Sequence, residues 1–326
     1  MKAIAYERFG SPDVLELRDV PEPEIGRGEV LVRVRAASPN PWDWHFMRGL
    51  PYIARLSGAG LRRPKHPLLG GDISGEVEEV GSEVTRFRRG DEVFGFVGFG
   101  GFAEYVVGAE ARLARKPANL SFGHAATVPL AALTALQGLR DAGEIRSGQN
   151  VLIVGASGGV GTFAVQIAKC FGAGVTGVSS TRNTDLVRSI GADRVIDYTR
   201  EDFTRSGRRY DVVFQLAGTT SPTAFQRVLT RKGVLVLSSG DSPRRVIGPF
   251  GRIISAVLLS RFMGQHMRIL QTKPRNEDLH FLTELIEAGR VTPVIDRTYP
   301  LSETAAAIRY LETGRARGKV VISISD

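Results

Sequence analysis

Thiols are nearly absent. Cys170 is the single cysteine among 326 residues, so no disulfide closes within the chain and no thiolate zinc cluster forms in it. It falls in an apolar helical stretch, where a cysteine serves as a small hydrophobe. Long apolar runs are missing too: no stretch of 18 apolar residues is there to span a bilayer. The opening MKAIAYERFG has no apolar signal core, and a cytoplasmic protein is expected. Nor is there a run of five basic residues, although 43 Lys and Arg against 34 Asp and Glu leave a net charge of +9. That excess suits an anionic partner or a solvated basic surface. Without a basic patch interleaved with aromatics, no specific nucleic-acid partner is expected.

What is present has two textures. Residues 1–122 read as short strands: EVLVRVRAAS alternates apolar and polar positions, and GEVEEVGSEVTRFRRGDEVFGF breaks into pieces at glycines and an Arg-Gly-Asp turn. From Ser121, a candidate helix cap, the pattern changes, with Pro129 breaking the helix that follows. Apolar strands at 151–154, 175–178, 194–196, 211–215 and 233–237 then alternate with helices at 162–171, 184–190 and 222–229. Continuous apolar strands alternating with helices predict a parallel, doubly wound α/β sheet. HMRIL is a candidate sixth strand. Helices at 276–288 and 302–313 and a last strand, KVVISI, close the chain.

The chemistry starts at VLIVGASGGVG, residues 151–161. Its Ala156-x-Gly158-x-x-Gly161 is the dinucleotide fingerprint with alanine at the first glycine, following a strand and opening a helix. Gly158 lets a pyrophosphate approach the backbone, Gly161 lets helix and strand pack closely, and the helix N-terminus attracts the anion. Roughly twenty residues on, where NAD enzymes place an acid for the ribose 2′-hydroxyl, the sequence reads GVSSTRN with no acid. Ser180, Thr181 and Arg182 offer hydroxyl donors and a planar cation instead, which suits a 2′-phosphate. At about 1.5–3 kcal/mol per charge-assisted hydrogen bond, NADPH should be preferred over NADH by tens-fold or more. Tyr198, after the third strand, is a candidate contact on the adenosine side.

Several stretches together resemble one family: Asn40-Pro41-x-Asp43-Trp44, HPLLGGDISGEVEEVG followed by FRRGDEVFG, ATVPLAALTAL, VLIVGASGGVG and ARGKVVI. The chain is identified as a member of the zinc-independent quinone oxidoreductases, the zeta-crystallin-like group of the medium-chain dehydrogenase/reductase superfamily. The resemblance implies an α/β fold class, a GroES-like β-rich domain plus a Rossmann doubly wound parallel sheet. The first domain would take residues 1–122 with a C-terminal return at 272–326, the second residues 123–271. It also implies a homodimer. Zinc-dependent relatives carry Gly-His-Glu where this chain has Gly70-Gly71-Asp72, and a ligand cysteine where it has Leu130, so no metal is expected. Without a Lewis acid to ionise an alcohol, the implied reaction is hydride delivery from NADPH to a quinone or an α,β-unsaturated carbonyl. Two other readings stay open: a zinc-free NADP-dependent alcohol or carbonyl oxidoreductase, and an NADPH-binding protein with little catalysis, such as a sensor or RNA binder.

By the same resemblance, Asn40 stands near the nicotinamide ribose and the substrate, and Asp43 supports its loop. Trp44, His45 and Leu130 are pocket candidates, His45 also a candidate proton donor; no single catalytic residue is assigned. Thr134 matches a threonine that touches the nicotinamide. Ser157, Gly158, Gly159, Val160 and Gly161 match the phosphate loop, Ser180 and Tyr198 the 2′-phosphate and adenosine contacts, and Arg315, Ala316 and Arg317 a C-terminal cofactor contact. One departure is residues 244–270, longer and more apolar than usual and carrying Arg244, Arg245, Arg252 and Arg261. A pocket cover, a dimer contact or peripheral membrane contact through residues 251–270 would each account for it.

Overall fold

The computed structural model describes residues 1–50, 52, 55, 59–238 and 265–324. The reading of residues 244–270 therefore lies outside the described residues up to position 264. The chain forms two compact units, residues 1–133 with 273–289 and 293–326, and residues 134–272 with 290–292.

The first unit is β-rich. Its strands are β1 (Lys2–Ala5), β2 (Glu16–Asp19), β3 (Glu29–Ser38), β4 (Asp72–Val80), β5 (Glu92–Phe96), β6 (Tyr105–Ala109) and β7 (Leu113–Arg115). β1 and β2 form an antiparallel pair. β3, ten residues long and buried at most positions, pairs antiparallel with β4 and β6. It ends in the turn that starts α1 (Pro41–Arg48), where Pro41 opens the helix and Gly49, at φ +59°, closes it. Ser121 caps the short α2 (Phe122–Ala126), accepting from the His124 N–H, and α3 (Pro129–Gln137) begins at the expected break. α2 packs on β3 and β4, so the helix at 122–126 belongs with the first unit.

The second unit holds β8 (Asn150–Val154), β9 (Gly174–Ser179), β10 (Arg194–Asp197), β11 (Tyr210–Gln215), β12 (Leu229–Leu237) and β13 (His266–Ile269). All neighbours are parallel, in the order β10-β9-β8-β11-β12-β13. HMRIL is thus the sixth strand. The intervening helices are α4 (Gly159–Cys170), α5 (Thr184–Ser189) and α6 (Pro222–Gln226). α4 starts three residues before the sequence pattern suggested, because the glycines of the loop are themselves its first turn. α6 stops earlier than expected, since β12 already begins at Leu229, where its side chain is fully buried.

The chain then returns to the first unit. α7 (Asn276–Glu287) buries Leu279, Leu282 and Ile286, the one-faced spacing of an amphipathic helix. β14 (Ile295–Pro300) follows, then α8 (Thr304–Glu312) and β15 (Lys319–Ser323), which pairs with β14 and β3.

Candidate active site

The phosphate loop leaves β8 through Gly155, at φ +90°. The left-handed turn therefore sits one residue ahead of the fingerprint's first position, and Ala156 can be alanine because its backbone is not the one that turns. Ala156 is fully buried, and a Cβ on Gly177 would come within 2.9 Å of its own Cβ and 2.5 Å of Val187. Gly161 is required by packing: a Cβ there would stand 2.1 Å from the Gly155 carbonyl oxygen. Gly158 is different. Its backbone is ordinary extended chain, and an added Cβ would meet just the Gly155 oxygen, at 3.5 Å. Among the described residues nothing demands glycine there, whereas a ligand lying against the backbone would. The Thr162 N–H donates to the Gly158 carbonyl, so the N–H groups of Gly159, Val160 and Gly161 precede the helix's own bonding and carry its positive end. The loop fits a pyrophosphate.

At the end of β9 the chain turns through Ser180 and a single turn of residues 181–183. Asn183, 5% exposed, lies beneath the loop. Its Nδ2 donates to Ser157 Oγ at 3.0 Å and to Ser180 Oγ at 3.3 Å, joining the phosphate loop to the end of β9. Arg182 is exposed. Thr181 is engaged elsewhere: its hydroxyl donates to Asp197 Oδ2 at 2.5 Å. Asp197 closes β10 opposite Ser179, so an acid does stand beside the end of β9, supplied by the next strand. It also accepts from the Thr199 hydroxyl and N–H and pairs with Arg200 at 3.4 Å. The Thr181 hydrogen bond is the leading cause that holds its carboxyl below the usual range. Tyr198 is 59% exposed, its N–H donating to the Ser179 carbonyl. Thr134, elsewhere in this unit, pairs its hydroxyl with Thr272 at 2.9 Å. The sequence reading missed Asn183 and Asp197. Asn183 ended the very stretch that attracted attention, but its role depends on Ser157, 26 residues earlier.

In the first unit, Asn40 and Asp43 meet two residues not anticipated as partners, Asp72 and Lys319. The Asn40 amide is held on both sides. Its Nδ2 donates to Asp72 Oδ2 at 2.9 Å and to the Ser38 carbonyl at 3.2 Å, and its Oδ1 accepts from Lys319 Nζ at 2.6 Å. Asp43 accepts from the Asn40 and Gly70 N–H groups, and Asp72 from the Leu130 N–H. All four side chains are at most 4% exposed. Burial pushes the Asp43 carboxyl up to about 7 and that of Asp72 up to about 6, the latter against the pull of Lys319 at 3.7 Å. Burial in turn lowers the Lys319 ammonium.

The remaining candidates spread over this unit. Trp44 stacks on His45 with ring centroids 3.7 Å apart and packs against the core. His45 Nδ1 lies 3.1 Å from the Leu50 carbonyl oxygen; a carbonyl can only accept, so Nδ1 carries a proton and donates it there. Trp42, which attracted no notice in the sequence, is 39% exposed and clusters with Phe46, Phe96 and Phe99. Gly71, the position of a ligand histidine in zinc-dependent relatives, is filled from outside: its Cβ would lie 2.4 Å from the Phe96 ring. Arg315 and Arg317 are exposed and Ala316 packs on the core; the Arg317 N–H donates to Asp296, which also accepts from Tyr310.

Comparison with known proteins matches both units. A zinc-binding dehydrogenase family model covers residues 190–322, and an alcohol dehydrogenase GroES-like domain model covers residues 26–118. Over 99% of its length the chain is 38% identical to a 2-methylene-furan-3-one reductase of Solanum lycopersicum, spanning 79% of that protein. It is 36% identical, with the same coverage of both, to a chloroplastic NADPH-dependent alkenal/one oxidoreductase of Arabidopsis thaliana. The solved quinone oxidoreductase of Coxiella burnetii matches 100% of this chain and 99% of its own, at 34% identity and a TM-score of 0.87.

Proposed function

Because the chain belongs to the quinone oxidoreductase, zeta-crystallin-like group of the medium-chain dehydrogenase/reductase superfamily, we propose that it reduces a quinone or an α,β-unsaturated carbonyl with NADPH and without zinc. The observation that carries this reading is the pairing, within one unit, of an open phosphate loop with a strand end whose own residues include no acid and bear Ser180 and Arg182, the neighbouring Asp197 being engaged by Thr181, Thr199 and Arg200. When bound, NADPH supplies the hydride. The N–H groups of Gly159, Val160 and Gly161 and the Ser157 hydroxyl would hold the pyrophosphate, Ser180 and Arg182 the 2′-phosphate, and Tyr198 the adenosine.

The zinc-free part of the reading rests on side chains. Gly71 and Leu130 offer no ligand atom, the Phe96 ring occupies the room a side chain at 71 would need, and Asp72 is committed to Asn40, Lys319 and the Leu130 N–H. An already electrophilic acceptor does not need the metal. The charge developing on its oxygen asks for a hydrogen-bond donor or a water, worth most where bulk solvent is excluded. A homodimer belongs to the same proposal, with β13, one of the two edge strands of its sheet among the described residues, and its exposed Ile269 as the place to look.

The test is a consumption assay with NADPH and NADH against a panel of quinones and enones, beside direct binding of both cofactors. NADPH consumption with some member of the panel and tens-fold tighter binding of NADPH are expected. Arg182→Ala should weaken NADPH by roughly tenfold or more, the loss of one charge-assisted contact, and leave NADH nearly unchanged. Equal binding of the two cofactors by the native protein would sink the cofactor assignment. NADPH that binds but is never consumed would sink the reductase.

A further inference from the structure

Asn183 makes no contact with solvent to speak of, yet it touches two side chains on which the proposed cofactor site depends. The direction of its hydrogen bonds is informative. An amide N–H₂ can donate and cannot accept, so Ser157 Oγ and Ser180 Oγ each spend a lone pair on Asn183. Each hydroxyl retains its own proton. Among the described residues neither donates that proton to a protein acceptor. Thr181, next in the chain, shows the alternative, its proton being taken by Asp197. The Asn183 backbone N–H also donates to the Ser180 carbonyl at 2.9 Å, which fixes both ends of the short turn.

We propose that Asn183 is the positioning residue that sets cofactor specificity, by turning the Ser157 and Ser180 hydroxyls into donors toward the pyrophosphate and the 2′-phosphate of NADPH. The inference rests on the cofactor reading above and adds the residue through which the two anion sites are built together. It also accounts for why a polar side chain is buried at position 183, where the turn itself calls for none. Ser157 would serve either dinucleotide, because both have the pyrophosphate. Ser180 would serve NADPH alone. Asn183 therefore acts on specificity through Ser180 and on general affinity through Ser157.

A double-mutant cycle read by cofactor binding tests this. Dissociation constants for NADPH and NADH are measured by titration calorimetry on the native protein, Asn183→Ala, Ser180→Ala and the double variant. Asn183→Ala should lower the preference for NADPH over NADH by about tenfold, one oriented hydrogen bond to an anion. In the Ser180→Ala background the same change should leave the preference where it is. If Asn183→Ala does not give folded protein, Asn183→Ser, too short to span the two oxygens, takes its place in the cycle. Asn183→Asp should be worse than either for NADPH, since a carboxylate would take both protons and set a negative charge beside the phosphates. A preference that survives Asn183→Ala, or that falls equally with and without Ser180, overturns the proposal. The cofactor reading has its own separate failure: a native protein with no NADPH preference. A native preference abolished by Arg182→Ala but untouched at Asn183 would leave that reading standing and this proposal refuted.

Discussion

Asn40 and Asn183 are both buried asparagines, 4% and 5% exposed, one in each unit, and they use their amides differently. Asn40 is bonded inward on every side, to Ser38, Asp72 and Lys319. Asn183 bonds to two serine hydroxyls, and each of those keeps a proton to offer elsewhere. The first arrangement is closed and holds the start of α1 to β4 and β15. The second is open and ends in donors. Buried polar groups that satisfy one another stabilise an arrangement, whereas those that leave donors in place are prepared for an anion. The comparison predicts that damage to the first cluster appears as lost stability and damage to the second as lost affinity.

The largest effect should come from Lys319→Met. It leaves the Asp72 carboxyl buried without its cation, a change that typically costs about 3–5 kcal/mol, measurable by urea denaturation. The loss should shrink at pH 5. The Asp72 carboxyl, already raised to about 6 with Lys319 present, rises further without it and takes up a proton instead of standing as a bare charge. A Lys319→Met protein as stable at pH 8 as the native one would break the comparison at its first term.

The next test stays in one loop and separates the two kinds of damage. Gly161→Ala drives a Cβ against the Gly155 carbonyl and should destabilise the second unit by about 1–3 kcal/mol. Gly158→Ala has room in the protein and should leave the melting temperature nearly unchanged. It should still weaken NADPH and NADH alike by roughly tenfold, about 1.4 kcal/mol, because the added methyl stands where the pyrophosphate would approach. If Gly158→Ala binds both cofactors normally, the loop is not the anion site.

How much of this the sequence carried follows from the same contrast. The phosphate loop and the alternation of strands and helices in the second unit were legible because their signals are local: strand, glycine turn and helix are contiguous from residue 151 to 170. Ser121, Pro129 and HMRIL were legible for the same reason. The cluster around Asn40 was not, because Lys319 lies 279 residues away and was read as the start of a closing strand. Asp72 was seen as a departure from a zinc motif, while its partners, Asn40, Lys319 and the Leu130 N–H, exist only in the fold. Asn183 falls between. It is next to Arg182 in sequence, but a buried asparagine and an exposed one look alike until the turn at 181–183 is in place.

The smallest expected effect concerns Thr181, which the sequence grouped with Ser180 as a phosphate donor. The structure distinguishes them by where their protons go: Thr181 donates to Asp197, whereas Ser180 accepts from Asn183. Thr181→Val, which keeps the shape and removes the hydroxyl, should therefore change NADPH affinity by less than about threefold, well under 1 kcal/mol. Ser180→Ala should cost about tenfold. Removing the Thr181 hydrogen bond also removes the leading cause that holds the Asp197 carboxyl down, so any residual effect should grow as the pH falls, because the variant's carboxyl takes up a proton before the native one does. Equal losses for Thr181→Val and Ser180→Ala would mean that Asp197 releases Thr181 when the cofactor binds, and that proton direction in the free protein does not predict which hydroxyl meets the phosphate.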